Sequence, residues 1–149
     1  MSFGVGSALF TGRLGLGTAR PLYSLHLAKD SAAKPSTSTW TVNSDERLKE
    51  DVVPADLARC YQIVRSLPMK RFAWRKDVYT DDQVDDRRKL GWLAQDVERI
   101  FPRSVQRGAA HDIADCRSLN IDQLLAALYG CVQDMQGRLE RLEGLDASV

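Results

Sequence analysis

The chain has 149 residues, enough for one domain or a small domain with an appendage. Hydrophobic residues make up 44% and charged residues 28%, which excludes a disordered chain and allows a modest core. Lys and Arg number 21 against 20 Asp and Glu, for a net charge of +1; this argues against a nucleic-acid arm, a polybasic membrane patch or an acidic tail. No apolar run approaches a membrane-spanning length, so no membrane span is expected. No basic segment followed by an apolar stretch opens the chain, so no secretory signal is expected either.

Residues 1–20 are rich in glycine and small side chains. Gly15 and Gly17 alternate with Leu14 and Leu16, a period of two that predicts a strand with close backbone approach. The Gly-x-Gly here lacks the third glycine of a dinucleotide fingerprint, and no helix opens after it. Residues 21–27 alternate Leu25 and Leu27 against Ser24 and His26, predicting a second strand. A loop is expected over 28–39, then a short β-prone run at 40–43.

From Pro54 the pattern turns helical. Leu57, Cys60, Tyr61, Val64 and Leu67 recur at steps of three and four, and Pro68 stops the run. Residues 69–75 alternate as a half-buried strand with Phe72 and Trp74 on one face. Residues 77–89 read as a solvated loop, and 90–101 as a strand leading into a short helix ended by Pro102. Residues 103–117 read as irregular.

The last segment carries the clearest pattern. Asn120 can cap a helix, with Gln123 three residues on. Ile121, Leu125, Leu128, Val132, Met135, Leu139 and Leu142 then follow at alternating steps of four and three, which is a heptad seam. Gly130 and Gly137 fall at the outer f positions. Arg138 at g and Glu143 at e have the spacing of an interchain ion pair in a parallel coil. Self-association through the seam is one reading; a single amphipathic helix packed on its own domain is the other.

Chemistry-bearing motifs are few. Cys60, Cys116 and Cys131 lack metal spacing, and only His26 and His111 could assist them. No metal or cofactor is expected, and the thiols read as free in a reducing compartment. No nucleophile elbow or metalloprotease motif is present. The remaining constellation is Ser44-Asp45-Glu46-Arg47-Leu48-Lys49. A lysine can serve a serine as base when burial or neighbouring cations lower its pKa. Five residues apart on an α-helix, Ser44 and Lys49 would lie about 140° apart. They meet only if Ser44 precedes the helix and the chain folds back, or if a second chain contributes. Without further information, Ser44 reads as an N-cap and Lys49 as a solvated charge.

Several blocks in fixed order carry a resemblance: residues 40–51, Phe72-x-Trp74, Gly91-Trp-Leu-Ala-Gln-Asp-Val-Glu98, Phe101-Pro102 and Ser118-Leu-Asn-Ile-Asp-Gln-Leu-Leu125. Together they resemble the intramolecular chaperone of auto-processing domain, the peptidase S74 family. Such domains end phage tailspikes and tail fibres, some large-virus proteins and the myelin regulatory factors. The upstream segment, 15–27, is similar to the strand that often joins a fibre stalk to this domain.

The resemblance implies an α+β fold. A short β-rich stalk end and linker at 1–39 would precede a chaperone domain at 40–149, with a coiled-coil helix at about 120–145 assembling as a trimeric bundle. It implies a homotrimer that trimerises an upstream fibre or spike chain, its folding client, and then cuts itself off. Ser44 and Lys49 match the family's Ser/Lys dyad, and the cut would fall at Ser44–Asp45. The implied setting is a virion or the cytoplasm of an infected host cell. The alternative is a virion trimer that does not cleave. A release domain like that of the regulatory factors would be expected to come with a membrane span.

Overall fold

The computed structural model describes residues 11–29, 32–36, 42–84 and 86–146. Residues 1–10 and Trp40, part of the expected stalk and of the expected β-prone run, lie outside them. The elements in chain order are β1 (Leu14–Leu16), β2 (Leu25–Leu27), a 3-10 turn (Glu46–Leu48), α1 (Leu57–Ser66), β3 (Lys70–Ala73), β4 (Arg88–Gly91) and α2 (Ala94–Ile100). A second 3-10 turn (Pro102–Ser104), β5 (Val105–Ala110), β6 (Ile113–Leu119) and α3 (Ile121–Asp146) complete it. The fold is mixed α and β, with small two-stranded sheets and a long C-terminal helix.

The chain divides into two compact units, Met1–Thr41 with Ala73–Lys89, and Val42–Phe72 with Leu90–Val149. In the first unit β1 and β2 pair in parallel, Leu14 opposite Leu25 and Leu16 opposite Leu27. β2 is shorter than the alternation from Pro21 suggested. The turn after β1 requires glycine: a Cβ on Gly15 would lie 2.4 Å from the Thr18 carbonyl oxygen, and Gly17 has φ of +78°. In the same unit Asp82 pairs with Lys29 at 2.6 Å, and the Gln83 amide donates to the Ala28 carbonyl at 3.3 Å. The Arg87 guanidinium donates to the Tyr79 carbonyl at 2.7 Å. The expected solvated loop is thus tied down by side chains, and its last residues enter β4.

In the second unit α1 starts later than Pro54 suggested. Asp56 caps it, its carboxylate accepting from the Arg59 N–H at 2.9 Å. A carboxylate satisfies an orphan amide of the first turn, which Pro54, three residues before the helix, cannot do. The helix ends at Leu67, immediately before Pro68, where the proline ring disfavours helical backbone. α3 is anchored at its start by a reciprocal pair. The Ser104 hydroxyl donates to the Asn120 carbonyl at 2.8 Å, and the Asn120 N–H donates to the Ser104 carbonyl at 2.8 Å. The Asn120 side chain then accepts from Gln123 N–H at 3.3 Å, the cap expected from the sequence.

α1 packs along α3. Ile63, Leu124, Ala127 and Cys131 are buried there at 4–5% exposure. Each large side chain so buried contributes about 1.5–3 kcal/mol. Ile63 is more deeply buried than the residues of the α1 stripe read from the sequence.

Residues 103–117, read as irregular, form instead most of the antiparallel β5–β6 hairpin, with Val105 opposite Leu119 and a bulge between Gly108 and Ala110. The pattern escapes a period-two reading because most side chains on both faces are solvent-exposed. The turn residues His111 and Asp112 hold positive φ (52° and 59°) without glycine. Glu98 of α2 ties the hairpin down, accepting from Arg107 Nε at 2.6 Å and Arg117 Nε at 2.8 Å. Those two guanidiniums hold its carboxyl down at about 2.

Candidate functional site

The site is built on the 3-10 turn that follows Ser44. Asp45, not Ser44, is its N-cap: the carboxylate accepts from the Arg47 N–H at 2.9 Å. The Arg47 side chain returns to the same carboxylate, Nε to Oδ1 at 2.9 Å and Nη2 to Oδ2 at 2.8 Å. This fork geometry is the strong form of a charge-assisted pair. The Arg47 side chain, and then its backbone N–H, hold the Asp45 carboxyl below the usual carboxylate range. The turn closes through Leu48 N–H to the Asp45 carbonyl at 3.1 Å and Lys49 N–H to the Glu46 carbonyl at 3.0 Å.

The consequence is a fold-back. Ser44 lies immediately before the turn's N-cap, and Lys49 is its C-cap, both caps having extended backbone. The Lys49 ammonium donates to Ser44 Oγ at 2.7 Å and to the Ser44 carbonyl oxygen at 3.1 Å. An α-helix would have kept the two side chains on different faces; a single 3-10 turn brings them together within one chain. Both residues are exposed, as are Asp45 and Arg47. The Ser44 N-cap reading is therefore corrected. An aspartate at 45 competes better for the orphan amide because its carboxylate also holds the arginine two residues on. A contact between positions two apart falls outside helical periodicity, so the Asp45–Arg47 clamp was not visible as a pattern.

Residues 44–106 match the Peptidase_S74 family model, chaperone of endosialidase. No curated protein matches the chain. The S74 match begins at Ser44 itself and ends within β5. It covers Ser44 and Lys49, α1, β3, β4 and α2. The motif block at 118–125 and the stalk-like strands lie outside it. The match supports a chaperone-domain role, and the S74 family is associated with autoproteolysis.

α3 carries a second feature. Ile121, Leu125, Leu128, Val132, Met135, Leu139 and Leu142 are all 47–61% exposed. The buried residues Leu124, Ala127 and Cys131 each stand one position before a seam residue, about 100° around the helix. The helix is thus packed on its own domain by one stripe and leaves the heptad stripe bare. At the start of α3 the seam borders an apolar groove of about 300 Å³, lined by Val64, Leu67, Met69, Trp92, Leu124 and Leu125 among others.

Two details of the heptad reading change. Gly130 does not face outward: a Cβ there would lie 2.7 Å from Cys60 Sγ of α1. Arg138 is engaged within its own chain, paired with Asp134 at 2.6 Å and stacked over the Tyr61 ring at 4.1 Å. It is not a free partner for Glu143 of another chain. Among the described residues there is no cluster of His, Cys, Asp and Glu able to hold a metal, and no helix is long and apolar enough to cross a membrane.

Proposed function

We propose that this domain is a trimerising chaperone for a β-structured viral fibre or spike chain upstream of it, released by autoproteolysis at Ser44–Asp45. The observation that carries the reading is the 2.7 Å contact between Lys49 Nζ and Ser44 Oγ, at the residue where the S74 match begins. Ser44 and Lys49 are the reactive pair, and the Asp45–Arg47 clamp holds the turn that joins them. Within one residue, attack by Ser44 Oγ on its own carbonyl would close a strained four-membered ring. The attacking oxygen therefore comes from a neighbouring chain's serine or from water.

The exposed heptad stripe supports assembly as a homotrimer. A continuous apolar face about 32 Å long, from residue 121 to 142, is larger than soluble monomers usually leave bare. Intertwined β stalks are rich in non-local contacts and slow to register. A trimeric clamp raises the effective concentration of the three stalk ends, and cutting after assembly makes maturation irreversible. The reading entails a virion or an infected cell's cytoplasm as the setting.

One observation favours the alternative, a virion trimer that keeps its terminal domain. Lys49 and Ser44 are both exposed in the single chain. Intact-mass spectrometry of the wild-type chain beside Ser44→Ala and Lys49→Ala separates the two. Cleavage lost or strongly slowed by both substitutions supports autoproteolysis. One species near 16.7 kDa in all three supports the silent trimer.

A further inference from the structure

The Lys49 ammonium touches two oxygens of Ser44, and the second is the carbonyl of the Ser44–Asp45 peptide, 3.1 Å away. A base for the serine needs only the hydroxyl. A cation seated on the carbonyl oxygen does something further: it stabilises the negative charge that develops there when the carbonyl carbon is attacked. An ammonium has three donors, so contact with Oγ leaves it free to make this one as well.

We infer that Lys49 acts in the cleavage as the oxyanion-stabilising group of its own chain's Ser44–Asp45 bond, keeping its proton throughout. The inference rests on the autoproteolytic reading above and assigns the electrophilic side of that reaction. The attacking oxygen adds to the Ser44 carbonyl carbon, and the C=O electron pair moves onto the oxygen facing Lys49. As the tetrahedral species collapses, the C–N bond breaks, and the Asp45 nitrogen takes the proton given up by the attacking hydroxyl or water and leaves as an amine. Net, one water is consumed, and its oxygen ends in the new Ser44 carboxylate. The Lys49 contact brings a positive charge to this carbonyl. The 3-10 turn holds the amine there because it returns the chain on itself between residues 45 and 49. The geometry favours scission after Ser44 over scission before it, since the polarised carbonyl is that of Ser44 and not of Asn43.

The test compares the full chain with Lys49→Arg, Lys49→Gln and Lys49→Ala, following intact mass against time. Arginine keeps the cation and its donors but cannot act as a base. With an oxyanion role, Lys49→Ala and Lys49→Gln slow the cut by about 10²–10³, and Lys49→Arg keeps most of the wild-type rate. A Lys49→Arg chain as slow as Lys49→Ala overturns the inference in favour of a base. If the wild-type chain does not cut at all, autoproteolysis fails, and the contact is read directly. Ser44–Asp45 is the one Ser-Asp step in the sequence, so [1-13C]Ser, [15N]Asp labelling isolates the Ser44 carbonyl resonance by NMR. A downfield shift lost in Lys49→Ala supports the clamp, and a resonance unmoved by that substitution overturns it.

Discussion

Gly130 of α3 sits so close to Cys60 of α1 that a Cβ on the glycine would come within 2.7 Å of Sγ and 3.0 Å of the cysteine Cβ. The two helices approach here because Ala127, Gly130 and Cys131 give α3 a stripe of small residues. Gly130→Ala should therefore destabilise the domain by about 1–3 kcal/mol through overpacking, even though alanine is the better helix former by about 1 kcal/mol. Gly137→Ala is the control. Its Cβ would meet only Arg141 Nη1 at 3.7 Å, an ordinary contact, and it should be neutral or stabilising by up to about 1 kcal/mol. Urea unfolding of both variants checks the pair. Cys60→Ala should restore part of the loss in the Gly130→Ala background, since the two sites touch.

The bare stripe of α3 leads to a prediction about assembly. Leu128 and Leu139 are 47% and 56% exposed in the single chain. Leu128→Lys with Leu139→Lys should leave the fold of one chain within about 0.5 kcal/mol per site, as for other exposed positions. If the chain assembles as proposed, the double substitution should convert the trimer to monomer in sedimentation equilibrium. A wild-type chain that is already monomeric at high concentration would remove the basis for a trimeric seam.

Glu98 gives a pH signature. Arg107 and Arg117 hold its carboxyl at about 2, against an ordinary 4.5. Because the folded value is depressed, the stabilisation is fully present above the ordinary carboxylate value. It is lost as pH falls from there through about 2. The Tm gap between wild type and Glu98→Gln should be steady at neutral pH, narrow below about 4.5 and close near 2. A gap that stays constant into acid would contradict the ion-paired hairpin.

Much of this architecture was legible in the residues. The stripes of α1 and α3, the Asn120 cap and the stop at Pro68 follow from helical periodicity and from the stereochemistry of proline. The heptad seam was legible as a stripe. That it is bare depended on which of two neighbouring stripes faces α1, and Leu124, Ala127 and Cys131 decided that against their neighbours 125, 128 and 132. Gly130 was misplaced for the same reason. The β5–β6 hairpin was missed because neither face is consistently buried and its turn is made by His111 and Asp112 in place of glycine. At the site, Ser44 and Lys49 were singled out by resemblance. Their meeting was not, because it depends on a 3-10 turn held by Asp45 and Arg47, whose spacing leaves no periodic trace.

The most direct measurement is the intact mass of freshly made wild-type chain followed through time. The expected result is a pair of fragments, residues 1–44 and 45–149, growing at the expense of the full chain. A single species persisting at full length, or a pair divided between residues 43 and 44, would contradict cleavage at the Ser44 carbonyl under Lys49.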